Sequence, residues 1–235
     1  NGSSNFPKGQ RFGLFPSVAV GWRPSEYGWW KKRLAFIRHF KLKYSYGIIG
    51  NDQILGTRFP YLTYIDTGAP GYQFGDYGQH VTEGVSVKEE GARKLSWERA
   101  DKQNLGLEIN VSGKWNVELD YFRDYRRGIF MRRGNMPDLV GIVTRPYGNV
   151  GRLRNWGYEG TFTYHDRAGA VDWEVRANFT WMDNKVLEYD ETPGKYAYQN
   201  RKGKRLELTR GLIALGYFRD SLDILNSPSH PDQVR

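Results

Sequence analysis

The residues of this 235-residue chain best suited to holding a polar ligand lie together between positions 71 and 80. Tyr72, Phe74 and Tyr77 carry flat aromatic faces of the kind that stack on the C–H surface of a sugar. Gln73, Asp76 and His80 can bond hydroxyls around its edge. The plainer reading of the same stretch is a surface loop packing on itself or on a partner. A second group, Arg123, Arg126, Arg127, Arg132 and Arg133, has the charge to draw in an anionic substrate or to hold lipid phosphates, although a solvated strand end and loop explains it more simply. The acidic pairs Glu89/Glu90 and Asp190/Glu191 hint at glycosidase carboxylates. Neighbouring strand residues point to opposite faces, however, and both pairs fall in expected loops, so solvated acids are the better reading. His39, His80, His165 and His230 are far apart and show no zinc-binding spacing. There is no Gly-x-Ser-x-Gly elbow and no phosphate-binding loop. No enzyme activity, metal or cofactor is expected. The Gly50, Asn51, Asn149, Gly151, Asn155 and Gly157 positions read as turn and strand-end residues, where glycine and asparagine tolerate positive φ.

The elements that must position these residues are strands. Trp173, Val175, Ala177, Phe179 and Trp181 alternate with Glu174, Arg176, Asn178 and Thr180. The same period of two runs through Trp115 to Tyr121, Phe40 to Tyr46, Tyr158 to His165 and Leu105 to Val111. One strand of this kind fits a soluble sandwich as well. The repetition favours a barrel wall: the polar face carries Glu, Arg, Lys and Asn, as a watery lumen permits, and aromatics stand near the strand ends of the apolar face, as an interfacial girdle requires. The expected strands are 11–23, 38–49, 94–111, 114–127, 153–165, 171–187 and 205–218, with a short helix or irregular turn within 26–40. Short turns near 112–114 and 166–170 alternate with long connections at about 51–91, 128–151 and 184–204. Outer-membrane barrels alternate short periplasmic turns with long outer loops in this way. The fold class is therefore all-β: about 7–9 antiparallel strands of a transmembrane β-barrel.

Composition agrees with that class. Mean hydropathy is −0.70 and 39% of residues are hydrophobic, and no window approaches the ~18 apolar residues of a membrane helix. A spanning strand needs only ~9–11 residues, of which every second one faces lipid. Eight Trp, 16 Tyr and 12 Phe supply the aromatic content that a membrane–water interface or a sugar-binding surface uses. With no cysteine there is neither a disulfide framework nor a thiolate metal site. The net charge of +9 suits nucleic acid, anionic lipid headgroups or an acidic substrate. The 35 Lys and Arg are scattered singly or in pairs, which speaks against nucleic acid. Residues 1–15 have no apolar core of the signal-peptide kind, and both ends read as mid-chain sequence.

Several motifs resemble one family in its own order. Phe15-Pro16-Ser17 with Gly21-Trp22-Arg23 is similar to a segment of SusC/RagA-like TonB-dependent outer-membrane transporters. So are Leu42-Lys43-Tyr44-Ser45-Tyr46-Gly47 with Gly50-Asn51, and Leu95-Ser96-Trp97-Glu98 with Asn104-Leu105-Gly106-Leu107-Glu108. Asp120-Tyr121-Phe122 follows, then Asn149-Val150-Gly151 with Asn155-Trp156-Gly157-Tyr158-Glu159, and finally Gly216-Tyr217-Phe218 with Ile224-Leu225-Asn226-Ser227-Pro228. Trp156 and Tyr217 stand where the family commonly has Lys and Leu.

The resemblance implies that residues 1–235 are part of the barrel domain of such a transporter, a barrel of about 22 strands. The plug domain, TonB box and closing C-terminal strand would be absent from this stretch. It implies an outer-membrane location and TonB-driven import of nutrients, oligosaccharides or glycans first and peptides second. The implied partners are a SusD-like surface lipoprotein, the TonB complex, and membrane lipid or lipopolysaccharide. Rival readings are a siderophore or cobalamin receptor of the same barrel type, a passive porin or adhesin, and a secreted β-fold glycan hydrolase. The last needs converging carboxylates, which the sequence does not supply.

Overall fold

Alternation along the chain becomes a wall in the computed structural model, which describes residues 1–53, 58–75, 78, 80–92, 94–136, 144–209, 211, 213–214 and 216–227. The strands are β1 (Ser17–Trp22), β2 (Ile37–Asn51), β3 (Tyr64–Phe74), β4 (His80–Glu89), β5 (Glu98–Val111), β6 (Trp115–Arg132), β7 (Tyr147–Ala168) and β8 (Val171–Glu188). Six of them form one antiparallel sheet in the order β1-β2-β5-β6-β7-β8. Among the described residues β3 and β4 pair only with each other, as a hairpin inserted between β2 and β5. Among the described residues the sheet is open, with β1 and β8 at its edges.

Register keeps one face apolar across the whole sheet. Val20, Tyr44, Leu105, Tyr121, Tyr158 and Trp181 lie side by side on six successive strands. Two residues further along, Leu42, Leu107, Leu119, Gly160 and Phe179 make the next row. Gly160 belongs there because the neighbouring rings close over it: a Cβ at this position would run into the Phe179 ring. Trp115, Tyr164 and Val175 mark the opposite margin, where Trp115 and Tyr164 pack with ring centroids 4.0 Å apart. Large apolar side chains on this face remain open: Trp181 is 50% exposed and Phe179 53%. A water-facing sheet does not carry such a band, and a lipid-facing one requires it. From Trp173 to Trp181 the band runs about 27 Å along the strand. At the ~40° tilt of such barrels that is about 20 Å across the membrane.

The connections sort by end. Turns at 112–114 and 169–170 close one end, and Ser112 (φ 55) and Gly113 (φ 73) form the first of them in the left-handed region that a tight turn requires. The link from β1 to β2 at the same end holds a 3-10 turn (Pro24–Glu26) and helix α1 (Gly28–Arg33), the short helix expected within 26–40. Glu26 sits there between Lys31 and Arg23, which hold its carboxyl below the usual carboxylate range. The β6–β7 link and the β2–β5 connection, which holds the β3–β4 strands, leave from the other end; the β1–β2 link is as long as the β6–β7 link and is the exception at the short-turn end.

Several expected bounds change. β1 begins at Ser17 rather than at 11, because residues 1–15 leave the sheet and cover its long-loop end. Phe6, Leu95 and Trp97 there join Ala92 and Phe130 in a buried cluster, with Phe15, Tyr61 and Tyr147 packed on it. Residues 51–91 are not simply a loop, since most of the second half is the β3–β4 hairpin. The expected loop over 128–151 shrinks from both sides, because β6 and β7 pair through a register shift beside Gly128 (φ 66). For 205–218 the expected strand does not form among the described residues. Side chains of β8 take the backbone and side-chain donors that would begin its ladder: Leu206 N–H donates to Asn184 Oδ1 at 2.7 Å, and Arg205 pairs with Asp183. The segment ends instead in a single turn, α2 (Ser221–Asn226), capped by Asp220.

Gly50 and Asn51 close β2 as expected and Asn149 stands near the start of β7, but Gly151, Asn155 and Gly157 lie inside β7 rather than in turns or at a strand end. Asn149 Nδ2 donates to Ser96 O (2.8 Å) and Gly128 O (2.7 Å), and its Oδ1 accepts from Ser96 N–H (2.9 Å). The side chain thus pins the β6 irregularity to the entry of β5. Asn149→Ala is expected to cost about 1–3 kcal/mol through the unpaired backbone groups it leaves. The check is the temperature at which the intact protein loses its detergent-resistant folded form. No downward shift would mean that the clamp is decorative.

Candidate functional site

The face opposite the apolar band carries charge. Lys41, Lys43 and His39 of β2 surround Glu108 of β5 at 3.3, 3.4 and 3.5 Å, and Lys43 also reaches Asp120 of β6 at 3.3 Å. Period-two geometry puts these residues on one face because each is an even number of register steps from the next. Three acceptors on this face have no hydrogen-bond donor from the protein: Asn104 Oδ1, Asp120 Oδ1 and Asp124 Oδ1. In both carboxylates the other oxygen is engaged: Asp120 Oδ2 pairs with Lys43 at 3.3 Å, and Asp124 Oδ2 accepts from Arg126 Nε at 3.1 Å. Unsatisfied polar atoms are costly in an apolar core; these three oxygens are covered by neighbouring side chains and belong to the packed polar wall rather than to the surface a solute meets. A cavity of about 860 Å³ opens along this stretch, lined in part by Ser45, Asn104, Asp124, Arg126, Asn155 and Glu159. Ile49, Phe122 and Met182 line it as well, so most of its surface is apolar and the donors and acceptors are set among C–H surface.

The aromatic group expected at 71–80 is on the β3–β4 hairpin at the long-loop end. Tyr72 and Phe74 lie on β3 with ring centroids 4.9 Å apart. Phe74 faces His80 across the pair and Tyr72 faces Thr82, so Tyr72, Phe74 and His80 share one side of the hairpin. Tyr72 is 70% exposed and Phe74 54%. The tip turns through Gly75 and Gly78, both at positive φ. Asp76 and Tyr77, the other two residues expected here, lie outside the described residues.

The five arginines do not form one cluster. β6 sends Arg126 to the charged face beside Asp124, and Arg123 and Arg127 to the apolar-band side. Arg132 stacks over Tyr147 and Arg133 pairs with Asp190. The strand period, which the sequence displayed, splits them. The acidic pairs are likewise structural or apart: Asp190 also accepts from Gly134 N–H at 3.2 Å, and Glu191 accepts from the backbone N–H of Arg201 and Lys202. Glu89 ends β4 rather than lying in a loop. His39 and His165 stay separate, and no group of three or more potential ligands for a metal ion occurs among the described residues. Sequence reasoning missed Asn104 and Asp120 as members of this polar wall, although their parity with Lys43 and Glu108 signalled a shared face once the registers are set.

Comparison with known proteins gives a consistent answer. A family described as TonB dependent receptor-like, beta-barrel, matches residues 1–225. TonB-dependent receptor P39 of Formosa agariphila is 27% identical over 93% of this chain and 20% of its own length. TonB-dependent receptor SusC of Bacteroides thetaiotaomicron is 29% identical over 80% of this chain and 18% of its own. The chain thus spans about a fifth of the length of the curated relatives it matches. Among solved structures, the RagAB peptide importer in its closed-closed state superposes with a TM-score of 0.65 at 20% identity, over 86% of this chain and 22% of that one.

Proposed function

This chain belongs to the TonB-dependent receptor-like β-barrel family, and on that premise we propose that it is one sector of the barrel wall of an outer-membrane nutrient importer. Members of the family are outer-membrane barrels and transporters or receptors, not enzymes. The observation that carries the reading is the two-faced sheet: a continuous aromatic-edged apolar band on one side, and a charged face on the other. In the whole protein the remaining strands pair with the free edges of β1 and β8, because an open edge in lipid leaves backbone groups unsatisfied. A plug domain and TonB box elsewhere in the longer chain admit cargo when the inner-membrane TonB complex pulls, and a SusD-like lipoprotein caps the long-loop end.

The cargo we favour is an oligosaccharide. The exposed Tyr72–Phe74 pair with His80 beside it, and the mixed donors and acceptors of the lumen face, suit a solute rich in hydroxyls and bare C–H surface. A peptide is the second reading, supported by the fold likeness to a peptide importer. The deciding experiment deletes the full-length gene and follows uptake of labelled oligosaccharides and of labelled peptides by whole cells. Loss of oligosaccharide uptake alone supports the reading. Loss of peptide uptake alone replaces the cargo, and unchanged uptake of both sinks the importer assignment.

A further inference from the structure

The segment that leaves β8 at the long-loop end, residues 189–204, is not a loosely solvated loop. Its backbone is held at several points. Gly194 N–H donates to Asn200 Oδ1 at 2.8 Å. Tyr196 N–H donates to Gln199 Oε1 at 3.0 Å, and Gln199 N–H returns to Tyr196 O at 2.9 Å around the 3-10 turn Ala197–Gln199. Lys204 Nζ donates to Ala197 O at 3.0 Å, and Glu191 accepts from the backbone N–H groups of Arg201 and Lys202. On this frame stand two open rings. Tyr196 and Tyr198 are both exposed, with planes 7° apart and centroids separated by 5.6 Å. Parallel rings at that spacing are offset, so each leaves part of its face free. Rings held open on a fixed frame add little to folding and are presented to something else.

The charge around the rings is one-sided. Lys195, Arg201, Lys202 and Lys204 face only two acids in this segment, Asp190 and Glu191. Both acids are engaged in holding the frame: Asp190 pairs with Arg133, and Glu191 takes the backbone N–H groups. Two of the cations are engaged as well. Lys204 is tied to Ala197 O, and Arg201 lies over the Tyr189 ring with its guanidinium donating to Tyr189 Oη at 2.8 Å. That leaves Lys202 and Lys195, whose ammonium stands over the Tyr196 ring, 5.4 Å from its centroid. Among the described residues neither lysine has a carboxylate partner, and both are exposed.

We propose that the 189–204 loop is a binding site for an acidic sugar unit, one that carries a carboxylate or a sulfate ester. This rests on the oligosaccharide-importer reading above and narrows the cargo from sugars in general to anionic ones. The Tyr198 ring, with the part of Tyr196 that Lys195 leaves open, takes the C–H face of the sugar. Lys195 and Lys202 take the anionic group. A lysine ammonium is a point charge without the fork of a guanidinium, so it receives either anion without selecting between them. The loop is already hydrogen-bonded in place, so little order is lost when the sugar binds. A protein partner fits less well, because the buried core of an interface is depleted in lysine and these rings are rimmed by it.

The test titrates the full-length protein in mild detergent with oligogalacturonate, oligoalginate and oligocarrageenan as acidic probes, and with malto- and xylo-oligosaccharides as neutral ones. Each acidic probe is also offered with its charge removed, by methyl esterification or desulfation. This comparison needs no variant: the wild type should bind at least one acidic probe about fivefold or more tighter than its neutralised form. Lys195→Gln/Lys202→Gln should lower the affinity for that probe to the level of the neutralised form and leave the neutralised form unaffected. Tyr196→Ala/Tyr198→Ala should weaken both forms about tenfold or more. Equal binding of charged and neutralised probes overturns the site, as does an unchanged charge preference in the lysine variant. Loss of a co-purifying surface lipoprotein from the tyrosine variant, with sugar affinity intact, also overturns it and makes the rings a protein contact. A protein that binds no acidic probe overturns the site. The importer reading survives that last result where the same protein binds a neutral probe or where deleting its gene abolishes oligosaccharide uptake, and falls where neither holds.

Discussion

Leu119→Arg lowers the stability of the assembled barrel by about 2–4 kcal/mol, whereas Glu118→Arg, one residue away, leaves it unchanged or slightly raised. Leu119 stands in the middle of the apolar band, opposite Leu107 on β5 and Gly160 on β7. A guanidinium there leaves water for hydrocarbon, and the long side chain relieves only part of that cost by reaching toward the Tyr121 level, about 7 Å away. Glu118 points to the other face, opposite Glu108 and Thr161. Reversing its charge turns a like-charge cross-strand pair into an opposite one, a change of at most about 1 kcal/mol in a hydrated lumen. The readout is the temperature at which each full-length variant loses its folded, fast-migrating form in detergent. Equal shifts for the two would show that the faces have been assigned wrongly, or that both see water.

The faces were the part of this fold most legible in the sequence. A period of two is a local property, so Trp173 to Trp181 and Leu105 to Val111 displayed their sides without any partner strand. What pairing decides was not legible. The 205–218 stretch alternates as well as β1 does, yet the Asp183 and Asn184 side chains take its first donors, because a strand is made by its neighbour as much as by its pattern. The β3–β4 hairpin hid for the opposite reason. Its pairing slips at three places, between Tyr64 and Ile65, Asp66 and Ala69, and Ala69 and Tyr72, so no clean alternation marks it. The arginines 123, 126, 127, 132 and 133 looked like one patch because nearness in sequence was read as nearness in space. On a regular strand adjacent members of such a run point to opposite faces, and the register shift beside Gly128 separates Arg132 and Arg133 from the rest of the count. The lumen acceptors Asn104, Asp120 and Asp124 needed registers between β5 and β6 before they formed anything.

The Tyr72–Phe74 pair is where the cargo reading is most exposed to test. The two rings touch each other and little else, Tyr72 being 70% exposed on a hairpin that pairs with no other strand. Nothing in the barrel wall depends on them, so the double variant Tyr72→Ala/Phe74→Ala should assemble normally and keep the wild-type melting behaviour. If the rings form a stacking platform for sugar, each contributes about 1 kcal/mol to cargo binding. Removing both then costs about 2 kcal/mol, close to a 30-fold loss of affinity. His80, paired with Phe74, supplies a hydrogen bond to one hydroxyl, so His80→Ala alone should weaken binding by less than tenfold. Titration of the full-length variants with the transported oligosaccharide separates the outcomes. A 30-fold loss with unchanged folding places the hairpin in the binding path. An unchanged affinity moves recognition off the hairpin.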